Sequence, residues 1–318
     1  MELVQPIGNP MPPNPVSGHV ETVDGVKLRF ARWKTHRAPA KGTVLLLQGR
    51  AEYIEKQYET ITDLRNAGHD VLAFDWRGQG GSSRLLKDRK RGYVANFDQY
   101  VTDLETILEK VALPDCRGPY FILAHSTGAL VALLAAPKLA NRIQRMVLSS
   151  PFIGFGAMPV PPGWIMSLAG FLNLVGLGSI YMAGGPKPDE RRAFTGNRLT
   201  SDTRRFARNA GFATQFPELS IGGPTAGWLL ASGNAMERLQ DPDFIGSINI
   251  PSLLVIAGAD EVVSNKAIEE LGRRLRSGRS VTIDGARHEL LQERDVFREQ
   301  LLAAFNAFVP GEEQQKRS

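Results

Sequence analysis

Short apolar runs rich in β-branched residues alternate along this chain with segments in which apolar residues recur at helical spacing. Continuous apolar runs of this length are typical of parallel strands that helices cover on both faces. The predicted strands are residues 26–33, 43–48, 70–74, 120–124, 145–150, 252–257 and 280–283. The predicted helices are residues 53–67, 97–111, 128–139, 265–275 and 295–308. The alternation predicts an α/β fold with a doubly wound, mostly parallel sheet.

The alternation stops at residues 151–250, where the composition is helical over a stretch too long for an ordinary connection. We therefore expect an inserted helical cap between two strands of the sheet. The α/β core then covers residues 19–150 and 251–309. The two ends, residues 1–18 and 310–318, are predicted to be flexible tails.

The predicted cap is strongly apolar, since no charged residue lies between Val147 and Pro186. Residues 164–182 are long enough for a transmembrane helix, but their glycines and polar residues, and their place between two core strands, favour a lid. Such a lid would bind an acyl chain and rest on a membrane surface. Nearby cations would either meet lipid phosphates or form a solvated helix face: Arg191, Arg192, Arg204, Arg205 and Arg208.

Composition narrows the class of protein. Apolar residues make up 42% and charged residues 22% of the 318 residues, which is enough for a sizeable buried core. The formal net charge of +5 favours an anionic surface such as a phospholipid layer. Nucleic acid is not expected as a partner, because the basic residues are scattered and no nucleic-acid-binding motif occurs.

Cys116 is the only cysteine, and residues 1–18 lack a signal-peptide pattern. We therefore expect a cytoplasmic protein, or one peripheral at the inner membrane surface.

A candidate nucleophile lies between the strand at residues 120–124 and the helix that follows it. Ser126 comes directly after the apolar run, and Ala124 and Gly128 are small residues two positions to either side. This is the Gly-x-Ser-x-Gly turn that exposes a serine hydroxyl, with alanine in place of the first glycine. The alternative is a serine that only caps the N-terminus of a helix.

Two further residues complete a catalytic pattern. His288 follows the last predicted strand, and Asp260 follows the strand at residues 252–257. The order serine, aspartate, histidine, each after a different strand, is that of an α/β-hydrolase triad. The alternative for His288 alone is a histidine in a surface loop, and the alternative for Asp260 alone is an aspartate that stabilises a turn.

An acyl-transfer site also needs N–H donors for the oxyanion of the tetrahedral intermediate. The residue after the nucleophile, Thr127, is the first predicted donor, and the Arg50 N–H after Gly49 is the second. The alternative for the Arg50 side chain is that it only points to solvent. The glycine-rich loop at residues 75–82 lacks a complete phosphate-binding motif, so we interpret it as structural support. No metal or cofactor is expected.

Several motifs resemble those of serine hydrolases in the group of bacterial lysophospholipases and monoacylglycerol lipases. They are Gly49-Arg50-Ala51-Glu52-Tyr53, Asp75-x-Arg77-Gly78-Gln79-Gly80-x-Ser82-x-x-Leu85, Arg91-Gly92-Tyr93-Val94 and Phe97-x-x-Tyr100-Val101-x-Asp103-Leu104. The resemblance covers residues 20–150 and 251–308 and implies an α/β-hydrolase with Ser126, Asp260 and His288 as its triad. The sequence departs from the pattern of this group at two places. Gln48 stands where monoacylglycerol lipases commonly have histidine, and Ala124 and Thr127 replace the glycine and methionine of the commoner Gly-His-Ser-Met-Gly turn.

These observations lead us to expect hydrolysis of a carboxylic ester of a single-chain lipid, a lysophospholipid or a monoacylglycerol, through an acyl-enzyme on Ser126. Small-ester carboxylesterase and aminopeptidase activities are alternatives. A free-amine substrate would need an acidic anchor, for which Asp189 and Glu190 are candidates. A catalytically silent binding scaffold is the alternative outside enzymes, because a fold does not by itself imply a function.

Overall fold

The computed structural model describes residues 2–185 and 193–309. Its strands form a single eight-stranded sheet in the order β1-β2-β4-β3-β5-β6-β7-β8. The strands are β1 (Val16–Glu21), β2 (Lys27–Trp33), β3 (Thr43–Leu47), β4 (Asp70–Phe74), β5 (Tyr120–His125), β6 (Ile143–Ser149), β7 (Ser252–Ala257) and β8 (Gly278–Ile283). β2 pairs antiparallel with β1 and β4, and all the other pairs are parallel. The predicted doubly wound, mostly parallel sheet is confirmed.

Helices cover both faces of this sheet. They are α1 (Tyr58–Asn66), α2 (Asp98–Ile107), α3 (Leu113–Asp115), α4 (Thr127–Leu139), α5 (Pro162–Leu174), α6 (Thr203–Gln215), α7 (Ala226–Arg238), α8 (Pro242–Gly246), α9 (Asn265–Arg274) and α10 (Asp295–Phe308). β3, β4 and β7 are buried along their whole length, as expected of parallel strands between two helical layers. Helices α5 to α8 lie between β6 and β7, within the segment 151–250.

The N-terminal segment is packed against the sheet domain, which differs from the predicted tail over residues 1–18. Its last residues belong to β1, which begins at Val16. The buried Asn9 amide donates to the carbonyl oxygen of Glu55 (2.8 Å), and the Trp33 indole donates to the carbonyl oxygen of Pro12 (3.0 Å). The prolines of this segment exclude regular structure, but not such hydrogen bonds to the core. The second predicted tail, residues 310–318, lies outside the described residues.

His69 lies fully buried at the start of β4, against the rings of Phe121 and Phe305. Neither of its ring nitrogens has a hydrogen-bond partner in the described part of the chain. Burial, with a smaller effect of Lys41, lowers the pKa of His69 to about 4. The folded protein therefore holds this imidazole in its neutral form.

This burial predicts a loss of stability in mild acid. The unfolded chain binds a proton at His69 below its usual pKa of about 6.5, whereas the folded chain does so only near pH 4. As the pH falls between these values, the free energy of unfolding should decrease by up to about 3 kcal/mol. In His69→Phe this contribution is absent, so urea unfolding at about pH 7.5 and pH 5 should show a smaller difference than in the parent. An equal difference in both proteins would exclude His69 as the source.

Candidate active site

The carboxyl ends of β5, β7 and β8 lie at the same edge of the sheet, because the strands of this part are parallel. Ser126 follows β5 directly, Asp260 lies in the loop after β7, and His288 lies in the loop after β8. Ser126 and His288, which are 162 positions apart in sequence, therefore meet at one site with Asp260.

Ser126 occupies a strained turn between β5 and α4. Its φ of 50° and ψ of −114° lie outside the regions that non-glycine residues ordinarily adopt. Backbone hydrogen bonds hold this conformation, since Ser126 N–H donates to Ser149 (3.0 Å) and Phe152 N–H donates to the Ser126 carbonyl (3.1 Å). The side chain makes no helix-capping hydrogen bond. Ser126 is thus not an ordinary capping serine, and it occupies a sharp strand-to-helix turn of the kind that the Gly-x-Ser-x-Gly motif forms.

Two small residues let this turn close. A Cβ atom at Gly128 would lie 2.6 Å from the Gln48 carbonyl oxygen and 2.7 Å from that of Leu47, so only glycine allows α4 to approach β3 this closely. Ala124, which replaces the first glycine of the usual motif, is fully buried in β5. Its methyl group is accommodated there, and the departure leaves the turn intact.

A chain of hydrogen bonds runs from Ser126 to Asp260. His288 Nε2 lies 3.0 Å from Ser126 Oγ, and His288 Nδ1 lies 2.7 Å from Asp260 Oδ2. The other carboxylate oxygen of Asp260 accepts the N–H groups of Val262 (2.8 Å) and Val263 (3.1 Å). Burial alone would raise the pKa of Asp260, but His288 and these two N–H groups outweigh burial and lower it. An ionised Asp260 fixes His288 with Nε2 facing the serine hydroxyl.

The loop after β3 approaches Ser126 from the other side. A Cβ atom at Gly49 would lie 3.3 Å from the Ser126 Cβ, and the Gly49 N–H is already bound to Glu52 Oε2 (2.5 Å). The next N–H along this loop is that of Arg50. Thr127 is the first residue of α4, so its N–H has no acceptor within the helix. Arg50 and Thr127 both line the cavity that contains Ser126, and their role as oxyanion donors stays a prediction.

The Arg50 side chain points into the segment 151–250 and not to solvent. Its Nη2 donates to the Gly222 carbonyl oxygen (2.7 Å), and its guanidinium lies 5.2 Å from the centre of the Trp228 ring. The alternative that this side chain only points to solvent is therefore wrong. The guanidinium ties the loop after β3 to the α7 region.

Gln79, from the glycine-rich loop at residues 75–82, holds the loop after β3 in place. Its amide nitrogen donates to the carbonyl oxygens of Gly49 (2.9 Å) and Glu52 (3.1 Å), and its amide oxygen accepts the Ala51 N–H (3.2 Å). These contacts agree with the interpretation of the glycine-rich loop as structural support.

A buried charge cluster that the sequence analysis did not predict lies beside the triad. Lys56 Nζ is 2.8 Å from Glu289 Oε1 and 3.1 Å from Glu52 Oε1, and its side chain is 1% exposed. Burial raises the pKa of Glu289 despite Lys56. Burial also acts on Glu52, but Lys56, His125 and the Gly49 N–H outweigh it and lower the pKa of Glu52. The cluster links the residue after His288 to the loop that carries Gly49.

His125 precedes Ser126, and its ring lies against that of His288. Its ring centre is 4.8 Å from that of His288, and its Nδ1 is buried without a hydrogen bond to any described residue. Burial lowers the pKa of His125 to about 4. A neutral His125 adds no positive charge next to His288 at neutral pH.

A cavity of about 470 Å³ opens above Ser126 and His288. Much of its wall comes from the segment 151–250. Six large apolar side chains line it: Phe152, Phe155, Met158, Phe206, Trp228 and Leu229. The segment 193–199 contributes further lining residues, including Arg198 and Leu199, and the Leu199 carbonyl oxygen accepts the Glu289 N–H.

Two of the arginines expected on a basic surface instead form ion pairs with other described residues, and one of them, Arg205, is buried. Arg205 binds Glu59 and, at 2.9 Å, Asp202, and its side chain is 3% exposed. Arg208 Nη1 lies 2.8 Å from Glu59. These ion pairs attach α6 to α1 of the core, which explains why neither arginine is free to meet a lipid phosphate. Arg204 is exposed, while Arg191, Arg192, Asp189 and Glu190 lie outside the described residues.

Within residues 2–185 and 193–309, no group of three or more histidine, cysteine, aspartate or glutamate side chains is arranged to hold a metal ion. The same part of the chain contains no helix with both the length and the hydropathy that a membrane crossing requires. The long apolar run of the sequence forms only the 13-residue helix α5, followed by turns.

A mostly parallel sheet with serine, aspartate and histidine at the ends of three strands is the architecture of the α/β-hydrolases. The model of the family described as serine aminopeptidase, S33, matches residues 38–295, and the chain belongs to this family.

Sequence relatives have related names. The probable lysophospholipase L2 of Haemophilus influenzae is 33% identical over 286 residues, which cover 89% of this chain and 88% of the relative. Lysophospholipase L2 of Escherichia coli is 30% identical over 300 residues, covering 90% and 85%. The family match and these relatives indicate that the chain is an ester hydrolase.

Solved structures show the same fold. A soluble variant of the monoglyceride lipase of Saccharomyces cerevisiae aligns with a TM-score of 0.75 at 21% identity, covering 93% of this chain and 96% of that one. The monoacylglycerol lipase of Paleococcus ferrophilus gives a TM-score of 0.69 at 23% identity, covering 89% and 98%.

Proposed function

We propose that this chain is a serine hydrolase that cleaves the carboxylic ester of a single-chain lipid, a lysophospholipid or a monoacylglycerol, through an acyl-enzyme. The observation that carries the proposal is the hydrogen-bonded chain of Ser126, His288 and Asp260 at the base of a cavity with an apolar wall.

In the proposed reaction, Ser126 Oγ attacks the ester carbonyl while His288 Nε2 takes the hydroxyl proton. The N–H groups of Arg50 and Thr127 stabilise the resulting oxyanion. The protonated His288 then gives its proton to the leaving alcohol, which leaves the acyl group on Ser126. A water molecule, deprotonated by His288, then attacks the acyl-enzyme, and His288 returns the proton to Ser126 Oγ as the bond to the acyl group breaks and the fatty acid is released. Asp260 stabilises the positive charge that His288 carries between these steps.

The cavity wall supports a lipid acyl group as the substrate. Phe152, Phe155 and Trp228 would bury an alkyl chain next to the nucleophile, and each buried methylene contributes about 0.8 kcal/mol. The names of the L2 lysophospholipases and of the monoglyceride lipases support the same substrate class. The segment 151–250 would then act as the cap of the acyl site.

The aminopeptidase alternative needs a carboxylate that is available to a free amine. Glu52 and Glu289 lie next to the site, but both already bind Lys56. The two candidates from the sequence, Asp189 and Glu190, lie outside the described residues. Glu261, which also lines the cavity, is exposed and forms no ion pair among the described residues, so it is a carboxylate that a free amine could reach. Turnover of an aminoacyl amide therefore has to be tested beside that of the esters.

A substrate panel tests the proposal. Purified protein would be assayed for fatty acid release from a lysophospholipid and a monoacylglycerol, for turnover of a short-chain ester, and for turnover of an aminoacyl amide. A fluorophosphonate probe would be added in parallel and its site identified by peptide mass spectrometry. We expect labelling of Ser126 and a preference for the single-chain lipids. Turnover of the short ester alone would indicate a carboxylesterase, and absence of both labelling and turnover in folded protein would indicate a binding scaffold.

We also propose that α5 contacts a membrane surface. Trp164, Leu168, Phe171 and Leu174 recur at helical spacing on α5, and all four are exposed, Leu174 to 84%. An exposed apolar helix face of this kind is typical of helices that lie in the interface of a bilayer. Contact there would bring the cavity close to lipid substrates.

Replacing Trp164 and Phe171 together by serine is expected to reduce binding to phosphatidylcholine vesicles by at least about tenfold, because two large apolar side chains no longer enter the interface. Co-sedimentation of protein with vesicles measures this change. The exposed apolar residues Val23 and Val296 offer a matched control, Val23→Ser with Val296→Ser, on other parts of the surface. An equal reduction in both double variants would contradict a specific role for α5.

A further inference from the structure

The part of the cavity wall at residues 193–199 is attached to the loop that carries the proposed base. The Glu289 N–H, next to His288, donates to the Leu199 carbonyl oxygen (2.8 Å). Arg287 Nη1 donates to the Asn197 carbonyl oxygen (2.9 Å), and just beyond the wall Thr200 Oγ1 donates to the Gln292 carbonyl oxygen (2.8 Å). These hydrogen bonds fix the wall beside His288.

Arg198 lies in this wall and lines the cavity. Its side chain is exposed, and it forms no hydrogen bond or ion pair with the described residues, 2–185 and 193–309. The other arginine of the cavity, Arg50, is engaged differently, since its guanidinium binds the Gly222 carbonyl and lies over Trp228. Arg198 is therefore a cation that is available to a bound ligand.

The hydrogen bonds of Asn197 and Leu199 to Arg287 and Glu289 place the backbone around Arg198 next to the loop that carries His288. His288 must reach the oxygen of the departing alcohol in order to protonate it, so this alcohol lies on the His288 side of the ester. The acyl chain would occupy the apolar wall formed by Phe152 and Trp228. A cation beside His288 would then face the substituent that the alcohol carries.

The nearby carboxylates do not neutralise this cation. Glu52 and Glu289 are paired with Lys56, and Glu261, which is exposed, is carried by the loop after β7 and forms no ion pair among the described residues. A guanidinium group matches phosphate oxygens in geometry and charge, and such hydrogen bonds are stronger than those between neutral groups. A glycerol hydroxyl offers no charge to it.

We propose that Arg198 binds the phosphate of a lysophospholipid headgroup and thereby makes lysophospholipids better substrates than monoacylglycerols. This inference rests on the proposed ester hydrolysis at Ser126 and adds to it the chemical class of the leaving alcohol. The phosphate is bound on the leaving-group side, and the bond that breaks is the carboxylic ester.

The test compares lysophosphatidylcholine and a monoacylglycerol with the same acyl chain, both below their micelle concentrations. In Arg198→Gln, kcat/KM should fall about 10- to 100-fold for lysophosphatidylcholine and less than about twofold for the monoacylglycerol. Arg198→Lys should retain part of the activity on lysophosphatidylcholine, because its charge remains. Arg204→Gln, an exposed arginine of α6 outside the cavity, is the control and should change neither value.

Glycerophosphocholine provides an independent readout of binding. It should inhibit short-ester hydrolysis by the parent protein competitively and inhibit Arg198→Gln at least about tenfold more weakly. An equal loss on both lipids in Arg198→Gln, or no loss on either, would overturn the role of Arg198. If the parent protein hydrolyses none of these esters, the proposed function itself fails, which is a distinguishable result.

Discussion

Replacing Ser126 by alanine is expected to lower kcat for ester hydrolysis by about 10⁴- to 10⁶-fold and to abolish labelling by a fluorophosphonate. The variant lacks the hydroxyl oxygen that we propose as the nucleophile, whereas the N–H groups of Arg50 and Thr127 and the cavity remain. Because Ser126 makes no capping hydrogen bond and is held by its backbone, the fold should change little. Steady-state kinetics on a lysophospholipid, together with urea unfolding, measures both effects.

Ser277→Ala is a matched control for this substitution. Ser277 is exposed after α9, and its carbonyl, not its side chain, takes part in a hydrogen bond of the sheet. The control should retain parental kcat within about twofold. If Ser126→Ala retained more than about a tenth of the parental rate at unchanged stability, the attacking group would have to be sought elsewhere.

Replacing Lys56 by methionine is expected to destabilise the protein by about 3–5 kcal/mol at neutral pH, because it leaves Glu52 and Glu289 buried without their cation. Protonation would relieve the unpaired carboxylates. Their pKa values in the folded variant would lie above those in the unfolded chain, so the deficit should be greatest at high pH and should shrink as the pH falls toward about 4.5. Urea unfolding across this range gives the profile.

Two comparisons separate the effect of the unpaired buried carboxylates from that of a general packing defect. Lys266→Met alters an exposed lysine of α9 and should change stability by less than about 0.5 kcal/mol. The triple variant Lys56→Met, Glu52→Gln, Glu289→Gln removes all three charges and should recover much of the lost stability. A deficit in Lys56→Met that is independent of pH, with no recovery in the triple variant, would show that the lysine acts through its methylenes alone.

The sequence contains most of the information for the sheet. Seven strands coincide with predicted runs, and those at residues 70–74 and 252–257 have the predicted bounds, because a strand buried on both faces is mostly apolar. β1 was not predicted, because its residues are exposed or half-buried in alternation and include Gly18 and His19. Its position follows from pairing with β2, which a local pattern does not reveal.

The proposed catalytic residues could be predicted from the sequence because each of them lies shortly after the end of a strand. Ser126, Asp260 and His288 lie together where the order of the strands places them. The cluster around Lys56 was missed, because a charged residue in a sequence is expected at the surface, and because Lys56 and Glu289 are distant along the chain. The motif that contains Glu52 was the only available signal. The same expectation of exposure caused the wrong assignment of Arg205 and Arg208.

The attachment of residues 193–202 to the loop after β8 has a consequence for engineering the cavity. Helix α5 packs mainly on α7, so its apolar face could be exchanged with that of a relative as a module. The strip around Arg198 could not be exchanged alone, because Leu199 and Thr200 are hydrogen-bonded to residues 289 and 292. A graft intended to alter headgroup preference therefore has to replace residues 193–202 together with the loop after β8. Replacing residues 193–202 alone would displace His288, because the hydrogen bonds to its neighbours would be lost.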